Sequence, residues 1–540
     1  MIPAINGTVK RSGGQFHLPK DSLSYHGDFD LLKVFCQRMS GISGFEKLTL
    51  TETANENACI SIMFDGSAGA YRLTIGAELI EITAGDREGA AFALTTLYWK
   101  LREGGGSCET GDITDTPSYE HRGFLLDCSR HFFDTDTVKS MIEQCSLRKL
   151  NRLHWHLSDD QGYRIESKAF PRLNSIGAYR KQLDGTEYGG FYTQHEIRDI
   201  VQFARARGVE IIPEIDMPGH VSAIIAAYPE LSCSGEPLDI PVSYGIFSRI
   251  LCAGKDEVIE FVKTLTDEIA PLFPYHLFHI GGDEAPKDEW EICPRCQERC
   301  KREGLKDEEE LQAWFTEEVL KHLQKLGKTG VCWNESLKSG KLSESAVIQY
   351  WDEEDGDRDG DYCQEAFKGS RKCIYSYTPA FYFDWIPAFV PMMKTFADPP
   401  KLRNGGEIKK ENLLGFEAAL WAEQITDKQT LEKMAFPRML VLAERAWNGK
   451  TSYEDFLIRC RQELEWLDED GISHFSVEDA DPAGEAQKNA VIAQWKPRIE
   501  YGRQSGMTQF EAVIFKVLRI KLTDLYTKEE VEEILKLIGA

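Results

Sequence analysis

Carboxylates and tryptophans gather in this chain in short, well-separated strings. Ser158-Asp159-Asp160, Asp216-Met217-Pro218-Gly219-His220 and Gly281-Gly282-Asp283-Glu284 supply acids and an imidazole, while Trp333, Trp351 and Trp421-Ala422-Glu423 supply large flat rings. Carboxyl groups accept hydrogen bonds from hydroxyls and rings stack on apolar C–H faces, so the mixture suits a carbohydrate. Adjacent Asp283 and Glu284 repel when both are ionised, which raises one pKa and leaves one group able to donate a proton while the other stays charged. The same dipeptide at a strand end would also serve to cap the next helix. Asp159 and His220 have the chemistry of a carboxylate–imidazole relay, because contact at one ring nitrogen sets protonation at the other. A satisfied polar pair at a rim is the plainer alternative. A lone tryptophan is usually core, but three at the ends of three different strands point to a lined pocket.

The elements that must position these residues are readable from hydrophobic period. Short apolar runs at 123–127, 151–157, 209–215, 275–282, 330–335, 345–351, 373–378 and 414–421 make eight strand candidates. Amphipathic helical stretches fill the intervals, except between 335 and 345, where there is room only for a turn or two. Strand–helix alternation at this count predicts a (β/α)8 TIM barrel whose site lies at the carboxyl ends of the strands, with an open doubly wound sheet as the alternative. Residues 1–117 read as a small N-terminal α/β accessory domain, 118–475 as the catalytic barrel and 476–540 as a C-terminal helical appendage. In that appendage Thr527 and Glu530 have capping-box spacing, and Val531, Ile534, Leu535 and Ile538 share one face that could cover the barrel or close a homodimer.

The 540 residues carry 63 Lys+Arg against 88 Asp+Glu, a net charge of −25, with no basic stripe to grip a phosphate backbone. Nucleic acid and anionic membrane are therefore not expected partners. No stretch reaches the length of a membrane span, and the opening residues lack the apolar core of a secretion signal. The 14 cysteines are not spaced as a disulfide framework, and together these features place the chain in the cytoplasm. Cys293-Pro294-Arg295-Cys296 with Cys300 resembles part of a metal site, but a structural zinc needs four ligands and no second CxxC is present, so no metal or other cofactor is expected. The acidic run Asp352-Glu353-Glu354-Asp355 with Asp357 lacks the spacing of a calcium loop.

At His279-Ile280-Gly281-Gly282-Asp283-Glu284 the chain resembles the catalytic motif of glycoside hydrolase family 20, the β-N-acetylhexosaminidases. HRGFLLDCSRHFF (121–133), LHWHLSDDQGYRIE (153–166), PEIDMPGH (213–220), TPAFYFD (378–384) and ALWAEQ (419–424) are similar to that family's other strand-end motifs, in the same order. The resemblance spans about 118–450. It implies substrate-assisted catalysis, in which the 2-acetamido group of the sugar attacks the anomeric carbon and forms an oxazolinium, so that configuration is retained. By the same resemblance Glu284 is the general acid/base, Asp283 orients the acetamide, and Tyr382 meets its carbonyl. Asp159 and His220 stand behind the acid. Trp333, Trp351 and Trp421 wall the pocket, and Arg122, Asp384 and Glu423 hold the hydroxyls of the terminal sugar. A pocket closed in that way implies an exo-acting enzyme on oligosaccharides or glycoconjugates ending in β-linked GlcNAc or GalNAc. A disaccharide-releasing lacto-N-biosidase and a non-catalytic sugar-binding protein are the competing functions.

Overall fold

The computed structural model describes residues 1–54, 57–66, 70–351, 361–504, 518–519, 522–523 and 525–539. The acidic run at 352–357 lies outside them.

The chain begins with a seven-stranded sheet whose spatial order is Gly7–His17, Ser107–Asp115, Tyr71–Ile75, Ile80–Ala84, Ile60–Phe64, Ser22–His26 and Thr49–Glu52. Tyr71, Leu73 and Ile75 are buried while Arg72 faces solvent, the period-two pattern of a sheet with one covered face. The cover is the helix Arg87–Glu103, capped by Asp86, which accepts from the Gly89 N–H. Twelve of its 17 residues are buried because it is packed on two sides. Beyond the sheet it meets the barrel, where Trp99 donates to the Leu147 carbonyl at 2.9 Å and Glu88 accepts from Asn151 and Arg152, each at 2.7 Å.

Eight parallel strands then close on themselves: β1 His121–Asp127, β2 Arg152–His156, β3 Glu210–Glu214, β4 Leu277–His279, β5 Thr329–Trp333, β6 Val347–Tyr350, β7 Cys373–Tyr375 and β8 Leu413–Leu420. Each pairs with its sequence neighbour, and β8 returns to β1 in the register Gly415↔His121 to Leu420↔Leu126. The barrel of the sequence reading is thus present and the open sheet is not. All eight predicted runs carry a strand, and the short interval after β5 holds only the 3₁₀ turn Asn334–Leu337.

Alternation along the strands fills the interior in layers. Ile212, Leu277, Val331, Val347 and Ile374 form an apolar plug of their own. Two residues further along the same strands come Glu214, His279, Trp333 and Gln349, so the next layer is polar and aromatic. At the chain's end the helices Gly484–Gln504 and Lys528–Ile538 pack on each other. The Thr527/Glu530 capping box is formed, and Val531, Ile534, Leu535 and Ile538 are all buried within the chain. The apolar face that could have closed a dimer is therefore covered by the chain itself.

Candidate active site

Strand ends and the turns after them assemble the site. After β2, the chain makes a tight ladder of Ser158–Asp159 against Gly162–Tyr163, which buries Asp159 and Asp160. Asp159 lies 2.7 Å from Arg130 Nη2, accepts from His156 Nε2 at 3.0 Å and faces His220 Nδ1 at 3.3 Å. Burial alone would raise its pKa, but Arg130, His220 and His156 outweigh burial and hold the carboxyl well below the usual range. His220 follows β3 on a backbone with φ of 52°. Its burial disfavours a charge, yet Asp159 first, then Asp160 and Glu284, push its pKa well above that of a free imidazole. The ring's other nitrogen, Nε2, stands 3.4 Å from Glu284 Oε2 and 3.9 Å from Asp283 Oδ2. Asp159, His220 and Glu284 are thus brought into one line, with Asp283 beside it.

The turn after β4 is shaped by its glycines. Gly281 has φ of 65°, and a Cβ there would sit 1.7 Å from Asp216 Oδ1. That approach lets Asp216 accept from the Gly282 N–H at 3.0 Å while lying against Asp283. Desolvation, with Glu214 and Asp159 nearby, pushes the Asp216 carboxyl up to about 7 despite the opposing pull of His220. Asp283 is raised well above the carboxylate range by burial and then by Asp216, with Glu284 and Glu335 adding to the effect. Glu284 itself has φ of 45°, and its N–H donates to Glu335 Oε1 at 3.2 Å. Asp283 Oδ1 and Trp351 Nε1 are buried with no hydrogen-bond partner among the described residues. Unpartnered buried polar atoms are costly unless a ligand satisfies them.

The rings form a cage beside these acids. Trp333 is fully buried and donates to Glu214 Oε1 at 2.9 Å, so it makes the floor. Trp421 is tilted against it at 5.9 Å and against Tyr382 at 6.1 Å, while Trp351 stacks on Tyr382 at 6.2 Å. Tyr382 is held in place by a bridge to Ala419 on β8, and its phenol pKa is raised well above 10 by burial and by the charges of Asp283 and Asp384. Glu423, after β8, lies between Arg130 and Asp127, and burial raises its pKa against the pull of Arg130.

One expected site residue is elsewhere. Arg122 is the second residue of β1, at the end of the barrel remote from the pocket. Its guanidinium donates to the carbonyls of Lys149 at 2.9 Å and Tyr119 at 2.7 Å, pairs with Glu88 at 3.3 Å, and lies over the rings of Phe92 and Trp447. It is a buried strut between barrel and N-terminal domain and cannot reach a sugar. The arginine in the site is Arg130, three residues past the end of β1, which stands 4.9 Å over Trp421 and pairs with Asp127 at 3.2 Å as well as with Asp159. A signal for it was present: barrel sites lie where strands end, and of the two arginines within 121–133 only Arg130 lies beyond that end. Glu335 and Asp127 were likewise not singled out, and Asp216 stood among the candidate acids without a role of its own. Cys293 and Cys296 do cluster, but with Cys233 and Cys252, not with Cys300.

A closed parallel barrel with paired acids and an aromatic cage at the carboxyl ends of its strands is the kind of site that barrel glycoside hydrolases use. Residues 119–450 match the model described as glycosyl hydrolase family 20, catalytic domain, and the chain belongs to that family. It is 40% identical to a β-hexosaminidase of Porphyromonas gingivalis over 371 residues, 67% of this chain and 48% of that protein, so it spans about half the length of that relative. Among solved structures, β-N-acetylhexosaminidase from Bacteroides fragilis superposes with a TM-score of 0.78 at 29% identity, covering 90% of this chain and 99% of that one. The exo β-N-acetylglucosaminidase from Vibrio harveyi in complex with N-acetylglucosamine gives 0.76 at 28% identity, covering 88% and 78%.

Proposed function

We propose that this chain is an exo-acting, retaining β-N-acetylhexosaminidase that removes terminal β-linked GlcNAc or GalNAc from oligosaccharides or glycoconjugates through an oxazolinium intermediate. The observation that carries the reading is Asp283 Oδ1, a buried acceptor without a partner, set beside Glu284 and next to a cage of rings. An acetamide N–H is the donor that such an acceptor lacks, and the rings suit its methyl group and the sugar face. Glu284 protonates the leaving oxygen and then takes a proton from water, while His220 and Asp159 act through it as positioning residues. Positive charge developing on the acetamide draws the Asp283 carboxyl toward its ionised form, and Asp283 with the crowd of acids behind it then favours that charge as the oxazolinium ring closes. Tyr382 donates to the acetamide oxygen and bends it under the anomeric carbon, where an intramolecular nucleophile gains its effective molarity. Arg130 and Glu423, with Asp384 on the turn after Tyr382, hold the outer hydroxyls and end the pocket after one sugar.

The test compares aryl β-glycosides of GlcNAc, GalNAc and glucose. Cleavage confined to the N-acetyl sugars and blocked by an N-acetylglucosamine thiazoline is the expected result. Glu284→Gln should slow substrates with poor leaving groups by about 10²–10⁴-fold and spare activated aryl groups, which need little protonation. Turnover of the plain glucoside would assign the nucleophile to a protein carboxylate and defeat the mechanism.

A further inference from the structure

Four cysteines converge where the excursion after β3 meets the segment that follows the β4 turn. Cys233 and Cys252 lie on the excursion after β3, joined at their bases by the Ser232↔Leu251 bridge. Cys293 caps the helix Pro294–Glu303, which follows the β4 turn, and Cys296 lies in its first turn. The Sγ atoms of Cys252 and Cys296 are 3.6 Å apart, those of Cys233 and Cys296 3.8 Å, and those of Cys252 and Cys293 3.8 Å. All four sulfurs lie within 4.8 Å of one another.

These separations are nearly twice the disulfide length of about 2.05 Å, so no pair is bonded. They match the edge of a sulfur tetrahedron around a zinc ion, about 3.8 Å for a metal–sulfur bond of about 2.3 Å. The backbone is built for the convergence. A Cβ on Gly254 would sit 2.3 Å from the Cys296 nitrogen, so only glycine lets the two loops press together there. The Gly254 N–H also points at the Cys252 sulfur, a contact that stabilises a thiolate. Trp290 braces the same junction by donating to the Leu251 carbonyl at 2.9 Å.

We propose that Cys233, Cys252, Cys293 and Cys296 bind one zinc ion as a closed four-thiolate site that fastens the loop carrying His220 to the loop carrying Glu284. Each thiol loses its proton as its sulfur takes a coordination position, so loading one Zn²⁺ releases up to four protons and changes no oxidation state. Four protein ligands leave no open position, which makes the ion structural. The missing second CxxC is replaced by two cysteines 19 residues apart in the sequence, brought together by the fold.

The test is the metal content of the full chain, purified without chelator and measured by plasma mass spectrometry, with X-ray absorption at the zinc edge. About one zinc per chain, with a single shell of four sulfurs near 2.3 Å, is expected. Cys300→Ser should retain the full zinc, and Cys252→Ser with Cys293→Ser should lose it. If the double variant does not fold, titrating the wild type with an organomercurial should release the same single zinc to a chromophoric chelator. Less than a tenth of a zinc per chain after reconstitution with Zn²⁺ under reducing conditions would overturn the proposal, as would iron in the site or a shell containing nitrogen or oxygen.

Discussion

Asp216, Asp283, Glu284 and Glu335 crowd one side of the pocket, with His220 as the cation between them and Asp159. Such a group is poorly compensated while the site is empty and better compensated once positive charge develops on a substrate, which is a differential interaction of the kind that speeds a reaction. Arg130 balances the opposite side, pairing with Asp127 and Asp159 and feeling Glu423. The two arginines of the 121–133 string separate binding from architecture. Arg130→Ala removes charge-assisted hydrogen bonds worth about 1.5–3 kcal/mol each, so kcat/KM should fall by about 10²-fold or more. Arg122→Ala should leave kcat/KM within a few-fold in whatever fraction stays folded, and lower stability by about 2–4 kcal/mol through the lost hydrogen bonds to the Lys149 and Tyr119 carbonyls and the emptied space, Glu88 keeping its pair with Arg152. Steady-state kinetics and thermal denaturation on both variants decide this. The reverse pattern would place Arg122 in the pocket.

The strands were legible because barrel strands are buried on both faces and so read as short apolar runs between amphipathic helices, and because the direction of a strand says which of its ends faces the pocket. Arg122 shows what is lost when a motif is matched without that direction. Loop contacts were less legible. Cys233 and Cys252 meet Cys293 and Cys296 only because the β3 excursion folds back across the β4 turn, and no local spacing encodes that. The β4 turn lies between these cases: a Gly-Gly pair before two acids marks a tight turn, but the atom that demands glycine, Asp216 Oδ1, comes from another strand's end. Gly281→Ala should therefore act on chemistry more than on folding, since the methyl must displace Asp216 or the turn that carries Asp283 and Glu284. A fall in kcat of about 10²-fold or more, with the far-ultraviolet spectrum unchanged, is the expected outcome. Unaltered kcat would mean that the close approach has no part in placing the acids.

Across the whole barrel, buried acids and imidazoles alternate from the floor to the pocket. His121 meets Glu417 at 2.8 Å, Glu417 meets His154 at 2.8 Å, His154 meets Glu214 at 3.0 Å, Glu214 meets His156, and His156 meets Asp159 at 3.0 Å, after which His220 leads to Glu284. Burial disfavours charge on His154, but Glu417 and Glu214 outweigh it and raise its pKa to about 9. His156 and His220 are raised well above the ordinary value in the same way. A histidine whose folded pKa exceeds its unfolded one contributes stability that is fully present below about pH 6.5 and is lost as pH rises through the folded pKa. For His154 the rise from 6.5 to about 9 corresponds to about 3 kcal/mol. On the entropy scale of a chain this long, that is about 3 °C in Tm. Asp216, raised to about 7, tilts the curve the same way at lower pH, because it too binds its proton more tightly in the folded state, but its contribution is lost between about pH 4 and 7 and is nearly exhausted above that. Tm should therefore fall between pH 6.5 and 9, and His154→Gln should lower Tm at pH 6.5 while flattening that slope. Calorimetry of both proteins across this window tests the prediction. A wild-type Tm that is level from 6.5 to 9 would mean that the imidazoles in the barrel are neutral, and that the line behind Glu284 holds it by shape and not by charge.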